Sequence, residues 1–187
     1  MTRKQSAGLL LYRETPAGLE VLLVHPGGPL WAGRDEGAWS IPKGEFTAAE
    51  APLQAALREF EEETGAAPPA GEPLPLQPVR QPSGKIVHAW ALRGDFDVAA
   101  LKSNLFSMEW PPKSGQRQAF PEVDRAAWLT LDAARRKIFA GQRPLLAQFE
   151  ARLARSAAPD AAAGAAGRPP DDTPEPRTGM PPRLSDP

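Results

Sequence analysis

The chain has 187 residues, 41% of them hydrophobic, and its 22 basic and 23 acidic side chains leave a net charge of −1. This length allows one domain with a proper core plus a tail. The near-neutral balance gives no footprint for non-specific binding to nucleic acid or membranes, and the lack of any cysteine excludes disulfides, thiolate nucleophiles and zinc sites built on sulfur.

Two apolar runs near the start predict a β-hairpin. Residues 7–13 and 19–25 flank a Thr-Pro-Ala-Gly turn and are typical of strands in a buried sheet. The apolar run after the basic start is too short for a signal peptide, and no stretch approaches the roughly 20 apolar residues of a membrane span. We therefore expect a cytoplasmic protein without a membrane partner.

A short amphipathic helix is predicted next. Thr47 and Glu50 have the spacing of a capping box, and Pro52 is tolerated in a first turn, so the helix should begin between Thr47 and Pro52. Gly65 should end it. Its apolar face consists of four side chains at helical spacing, Leu53, Ala56, Leu57 and Phe60.

Three carboxylates occupy the neighbouring face of this helix. Glu59, Glu62 and Glu63 stand at i, i+3 and i+4, which gathers them within roughly a third of the helix circumference. Like charges this close repel, and oxygen ligands without Cys or His suit a hard ion such as Mg²⁺ or Mn²⁺. Gly44 marks a tight loop where a backbone carbonyl can approach the ion. Such an ion is the usual partner of a phosphate.

The rest of the chain predicts alternating strands and helices and then a tail. The expected elements are a hairpin at residues 79–82 and 85–92 about Ser83-Gly84, a strand at 126–131, and helices at 131–139 and 144–155. Residues 156–187 are mostly Ala, Pro, Gly, Asp and Arg, and such a segment cannot offset the entropy of ordering. We predict a domain at residues 1–155 and a disordered tail at 156–187.

Residues 44–66 resemble the Nudix box. That pattern is Gly, five residues, Glu, seven residues, Arg-Glu, an apolar residue, any residue, Glu-Glu, any residue, Gly, and an apolar or small residue. Every fixed position is matched, by Gly44, Glu50, Arg58, Glu59, Phe60, Glu62, Glu63, Gly65 and Ala66. The resemblance implies an α+β fold of the Nudix α/β/α sandwich type with a mixed central sheet, and metal-dependent hydrolysis of a pyrophosphate bond in a nucleoside diphosphate-X substrate.

The resemblance also implies roles for the box residues. The metal would be held by the Gly44 carbonyl, Glu59 and Glu63, with Glu62 acting through water. Arg58 should orient a box carboxylate.

A loop acid outside the box is a further candidate for the metal site. Glu122 stands six residues before Trp128, the position from which a Glu reaches the metal site in several Nudix enzymes. Glu109 and Asp124 are the alternatives. The general base remains open among Glu59, Glu62 and Glu122.

Substrate contacts are expected from loops around the box. Trp39 followed by Pro-Lys-Gly resembles diadenosine tetraphosphate hydrolases, so Lys43 is expected to meet a phosphate. Trp39 is a candidate substrate contact beside it, although a tryptophan is more often a core residue. Five further loop residues are candidates for stacking or charge contacts, with Arg34 and Lys113 preferred: Trp31, Arg34, Trp110, Lys113 and Arg117. The two histidines, His25 and His88, are expected to be hydrogen-bonded sheet residues.

Two classes of enzyme and one of binding protein fit these features. The first is a hydrolase that cuts diadenosine tetraphosphate into ATP and AMP. The second is a nucleoside triphosphate pyrophosphohydrolase that resembles MutT, and the third is a non-catalytic Nudix module that binds a nucleotide. The expected partner is a small-molecule nucleotide rather than nucleic acid, and the sequence does not predict an oligomeric state.

Overall fold

The computed structural model describes residues 4–157, which form nine strands and three α-helices. The strands are β1 (Gln5–Thr15), β2 (Gly18–Pro26), β3 (Lys43–Glu45), β4 (Leu74–Pro75), β5 (Val79–Arg80), β6 (Ile86–Arg93), β7 (Leu105–Glu109), β8 (Arg117–Pro121) and β9 (Val123–Thr130). The helices are α1 (Pro52–Thr64), α2 (Leu131–Lys137) and α3 (Arg143–Ala157). Beyond its first two residues, which end α3, the predicted tail lies outside the described residues. No helix within residues 4–157 is long and apolar enough to cross a membrane.

Seven strands form one mixed sheet around β1. The order β4-β6-β1-β2-β9 is completed by β3, which pairs with β1, and by β5, which pairs with β6. β1 runs parallel to β6 and antiparallel to β2 and β3. The predicted first hairpin is confirmed by the β1–β2 pairing, and the mixed sheet confirms the predicted fold class.

Helices cover both faces of this sheet because β1 is apolar on both sides. Leu10 belongs to a buried cluster with Leu145 and Phe149 of α3, whereas Leu9 belongs to a second cluster with Phe60 of α1. Side chains alternate between the faces of a strand, and a continuous apolar run therefore needs cover on each face. The result is the predicted three-layer sandwich.

The two ends of α1 differ in how well the sequence predicts them. Gly65 ends the helix in the left-handed conformation, with φ of 75°, as expected. The predicted capping box is wrong, because Ala51 is the N-cap and makes no side-chain cap. The Glu50 carboxylate instead accepts two hydrogen bonds from Arg58, so it is not available to the backbone near Thr47.

A two-stranded ribbon is the element that the sequence analysis missed. β7 and β8 pair antiparallel with each other and belong to a separate sheet, where we expected only a long loop. The segment from Trp110 to Gly115 forms the ribbon's tip. Most of its residues are exposed, so the two strands lack the apolar runs that mark a buried strand in a sequence. Only the alternation of apolar and polar residues from Phe106 to Glu109 in β7 predicts a strand.

Candidate active site

An open cleft of about 510 Å³ lies between α1, β3 and the ribbon. Its wall includes five carboxylates and two lysines. The lining residues that matter below are Lys43, Gly44, Glu45, Glu59, Glu62, Glu63, Lys85, Phe106, Glu122 and Trp31. The i, i+3, i+4 spacing on α1 supplies three of the acids, as predicted. Negative charge therefore collects on one side of the cleft, with two cations in the same wall.

Arg58 ties three acids of the box together. Its Nε and Nη2 each donate to the Glu50 carboxylate over 2.9 Å, and its Nη1 donates to Glu59 over 2.6 Å and to Glu62 over 3.1 Å. These contacts, with the bonds to Glu50 contributing most, raise the pKa of Arg58 above its usual range. The fork of guanidinium donors suits several carboxylates at once, so Arg58 lies where its predicted orienting role requires.

Glu63 carries the most perturbed carboxyl of the cleft. The pKa of Glu63 is raised to about 8, chiefly by loss of contact with water and also by the nearby charges of Glu59 and Glu122, while Lys43 opposes the shift. The residue as a whole is half-buried, but its carboxyl end faces protein rather than bulk water. Its Oε2 accepts a hydrogen bond of 2.9 Å from the backbone amide of Lys43.

Glu59 lies against the backbone of Gly44. The side chain is buried, and burial raises the pKa of Glu59 while Arg58 opposes that shift. A Cβ at position 44 would lie 1.7 Å from Oε2 of Glu59, closer than any side chain allows. Glycine at this position lets the carboxylate lie over the β3 backbone.

The donor set fits a hard divalent cation. Burial and mutual repulsion both disfavour the ionised acids, and a cation reverses both effects. Within residues 4–157, however, no three acidic or histidine side chains already surround one point. Glu59 and Glu62 each give one carboxylate oxygen to Arg58 and Glu63 gives one to the Lys43 amide, which leaves the second oxygen of each carboxylate for an ion.

Glu122 is brought to the cleft by an irregularity between β2 and β9. The pairing register shifts between His25 and Pro26, and the Gly27 amide then donates to the Glu122 carbonyl over 2.9 Å. The two alternative acids lie elsewhere: Glu109 binds the Gly115 amide and Asp124 binds His25. Of the three candidates, Glu122 is the one in the cleft wall.

Three predicted substrate contacts do not line the cleft. Trp39 is only 5% exposed and belongs to the core, with its indole nitrogen donating to Asp35, so its prediction as a substrate contact is corrected to a packing role. Arg34 holds its guanidinium carbon 5.3 Å from the centre of the Trp31 ring. Lys113 lies at the exposed tip of the ribbon, away from the cleft lining.

The two histidines are hydrogen-bonded, as predicted. The nitrogens of buried His25 lie 2.8 Å from a carboxylate oxygen of Asp124 and 2.8 Å from the Arg34 carbonyl. His88 bonds to Gln5.

Lys85 and Phe106 line the cleft, although the sequence analysis did not single them out. Lys85 directly follows the predicted Ser83-Gly84 turn. A lysine at a turn was the only sequence signal that could have marked it as a candidate. Its Nζ donates to Glu45 over 2.7 Å. In β7 the apolar Phe106 and Met108 alternate with the polar Ser107 and Glu109. This alternation was the only sequence signal of the strand.

A second cavity, mostly apolar, opens beside the cleft. Its volume is about 470 Å³, and Trp31 and Lys43 line both spaces. The Trp31 and Phe139 rings meet edge to face at 5.3 Å between centroids, and residues 81–83 form the opposite wall. A planar apolar group attached to a phosphate in the cleft can enter here without leaving the protein surface.

Comparisons with known proteins point to one family. The NUDIX domain model matches residues 2–149. A C. elegans Ap4A hydrolase in a binary complex is 25% identical, with a TM-score of 0.56 over 80% of this chain and 98% of that chain. The NUDIX domain of Shewanella oneidensis NrtR complexed with ADP ribose is 20% identical, with a TM-score of 0.57 over 82% and 90%. No curated protein matches the chain.

Proposed function

The chain belongs to the Nudix family of pyrophosphohydrolases, and from this premise we propose that it hydrolyses a dinucleoside polyphosphate. The leading substrate is diadenosine tetraphosphate, cut into ATP and AMP. One observation carries the proposal: the acidic cleft and an apolar cavity share Trp31 and Lys43 in their walls. A phosphate chain and its nucleobase therefore have adjoining places.

The similarity to an Ap4A hydrolase supports this choice of substrate. The alignment extends over 98% of that chain at 25% identity, and the Trp39-to-Gly44 segment has the same resemblance in sequence. The partner proposed here is a small nucleotide, with neither nucleic acid nor membrane involved.

Nudix enzymes use divalent metal ions, and we propose Mg²⁺ or Mn²⁺ for this site. Its ligands would be the Gly44 carbonyl, Glu59 and Glu63, with Glu62 through water and Glu122 from its loop. When bound, the ion neutralises charge on the phosphates and makes water a better nucleophile. The preference for oxygen ligands follows from the donor set.

The chain's own groups position the substrate and move the proton. Lys43 and Lys85 face the anionic phosphates as point charges, and Arg58 holds the carboxylates of Glu59 and Glu62 in place. A phosphoanhydride already has a good leaving group, so orientation and charge neutralisation are the main requirements.

The proton of the attacking water passes to a carboxylate in reach of the scissile phosphorus. Glu59, Glu62 and Glu122 are the three candidates in the cleft. Separate Gln variants, compared by the pH dependence of kcat, distinguish them.

The test is a hydrolysis panel with Mg²⁺ and with Mn²⁺, with products resolved by chromatography. The panel holds diadenosine polyphosphates, nucleoside triphosphates, nucleotide sugars and inositol pyrophosphates. ATP plus AMP from diadenosine tetraphosphate is the expected result. Pyrophosphate from a triphosphate as the dominant product would contradict the substrate proposal in favour of a MutT-like activity, and no metal-dependent product would favour a binding module.

A further inference from the structure

A third space adjoins the cleft on the side of the β7–β8 ribbon. We call it the ribbon slot; it has a volume of about 220 Å³ and is lined by Gly27, Gly28, Leu30, Trp31, Phe106 and Met108. Its walls are mostly apolar, and none of its side chains is charged. Leu30 at its rim is 60% exposed.

The ribbon presents a regular apolar face to this slot. In β7 the partly buried Phe106 and Met108 alternate with exposed Leu105, Ser107 and Glu109. Since successive side chains of a strand point to opposite faces, Phe106 and Met108 share the face that lines the slot, whereas Leu105 lies on the other face. Phe106 is supported from within the ribbon by Phe120, with ring centroids 6.1 Å apart.

The opposite wall is shaped by a glycine. Gly28 has φ of 87°, and a Cβ there would lie 3.1 Å from Cζ of Phe106. A side chain at this position would be strained by the backbone conformation and would press on the ring. Gly28 thus allows the loop before Trp31 to lie close to Phe106 and keeps the slot narrow.

The ribbon slot is continuous with the catalytic cleft. Gly27, Trp31 and Phe106 line both spaces, and Trp31 also lines the apolar cavity beside Phe139. Trp31 therefore stands where all three spaces meet. Two apolar spaces open from one acidic cleft, which suits a substrate with a planar apolar group at each end of a phosphate chain.

We propose that the ribbon slot binds the second nucleobase of a dinucleoside polyphosphate, while the cavity beside Phe139 takes the first. This inference rests on the proposed function and deepens it. The slot is smaller than the roughly 300–1,000 Å³ of a pocket for a whole drug-sized ligand, so it fits a single ring system. Nucleoside triphosphates and nucleotide sugars lack a second base and leave the slot empty.

Stacking of the second base on Phe106 would favour dinucleoside polyphosphates over substrates that have a single base. Contact between a base and an aromatic side chain contributes on a scale that corresponds to about a tenfold change in affinity. Met108 adds a polarisable thioether to the same face.

The test compares Met108→Ala and Phe106→Ala with the control Leu105→Ala, which removes an apolar side chain that is 68% exposed on the other face of the same strand. For each protein, kcat/KM is measured for diadenosine tetraphosphate and for adenosine 5′-tetraphosphate, which lacks the second base. The ratio of the two values should fall about tenfold in Phe106→Ala and about 2- to 10-fold in Met108→Ala, which loses only a thioether contact, and it should stay unchanged in Leu105→Ala. An unchanged ratio in both slot variants overturns the proposal.

A binding measurement separates this inference from the proposed function. Calorimetry with a non-hydrolysable methylene analogue of diadenosine tetraphosphate should show about 2- to 10-fold weaker binding to Met108→Ala than to wild type. If wild type hydrolyses neither tetraphosphate, the proposed function fails while this difference still supports the slot. Equal binding by wild type and Met108→Ala refutes the slot, whatever the hydrolysis results. Thermal melting and circular dichroism verify that each variant is folded.

Discussion

The backbone amide of Lys43 donates a hydrogen bond of 2.9 Å to Oε2 of Glu63. This bond joins β3, which carries Gly44, to the last acid of the box on α1. Burial raises the pKa of Glu63, and Lys43 is the neighbour that favours the ionised form. β3 and α1 are therefore joined at the carboxyl group of the cleft whose pKa is raised most.

The first prediction concerns pH in the metal-free protein. The folded-state pKa of Glu63 is about 8, above its value of roughly 4.3 in an unfolded chain, so the folded state holds the proton more tightly. The associated stability is fully present below about pH 4 and is lost as pH rises through about 8. Urea unfolding should show this decline in wild type and a flatter profile in Glu63→Gln.

A measurement with Mg²⁺ and a comparison of the two pH profiles complete that experiment. Mg²⁺ should restore stability at high pH in wild type, because the ion binds the ionised carboxylates of the folded state. Identical pH profiles for wild type and Glu63→Gln would show that Glu63 ionises normally.

The second prediction concerns Gly44. Gly44→Ala should lower kcat by about 10- to 100-fold, because the new Cβ would displace the Glu59 carboxylate that lies 1.7 Å from its position. Gly33→Ala is the matched control, since a Cβ at Gly33 meets nothing within 4 Å. Steady-state kinetics and thermal melting compare the two. Full activity in Gly44→Ala would mean that Glu59 need not stay over the β3 backbone.

The third prediction concerns Arg58. Arg58→Lys should weaken the apparent Mg²⁺ affinity and lower kcat, together by about 10- to 100-fold, because one ammonium cannot contact Glu50, Glu59 and Glu62 as the guanidinium does. Titration of activity with Mg²⁺ measures both quantities. Arg93→Lys, at an exposed ion pair with Glu14, is the control and should behave as wild type. A similar loss in both variants would contradict a specific role for the Arg58 guanidinium.

The fourth prediction separates two tryptophans. Trp31→Ala should raise KM by about tenfold with little change in stability, because Trp31 is half-buried and lines the cleft. Trp39→Ala should instead lower the free energy of unfolding by about 3–5 kcal/mol, since Trp39 packs in the core. Substrate titrations and urea unfolding measure the two effects. The reverse pattern would restore Trp39 as the substrate contact.

The sequence predicted the part of the site that is local in the chain. Glu59, Glu62 and Glu63 share one face of α1 through helical spacing alone, and the contacts of Arg58 with Glu59 and Glu62 follow from the same helix. These predictions needed no knowledge of how distant segments pair. Glu122, which immediately precedes β9, was predicted instead from the family resemblance in its distance to Trp128.

Contacts that depend on tertiary packing could not be predicted in the same way. Lys85 reaches the cleft because β1 pairs with both β3 and β6, and Phe106 does so because the ribbon folds back beside the loop at Gly28. Conversely, Glu50 has the spacing of a cap residue, but its bonds to Arg58 override that local preference. Trp39 shows that a tryptophan beside the box can serve packing alone.

The most direct test of the account is hydrolysis of diadenosine tetraphosphate with Mg²⁺ by wild type, Glu63→Gln and Glu61→Gln in parallel. Glu61 is exposed on the same helix and does not line the cleft, so its variant controls for the loss of one acid from α1. The account predicts ATP and AMP from wild type and Glu61→Gln, and almost no product from a folded Glu63→Gln. An active Glu63→Gln, or no metal-dependent product from wild type, would contradict it.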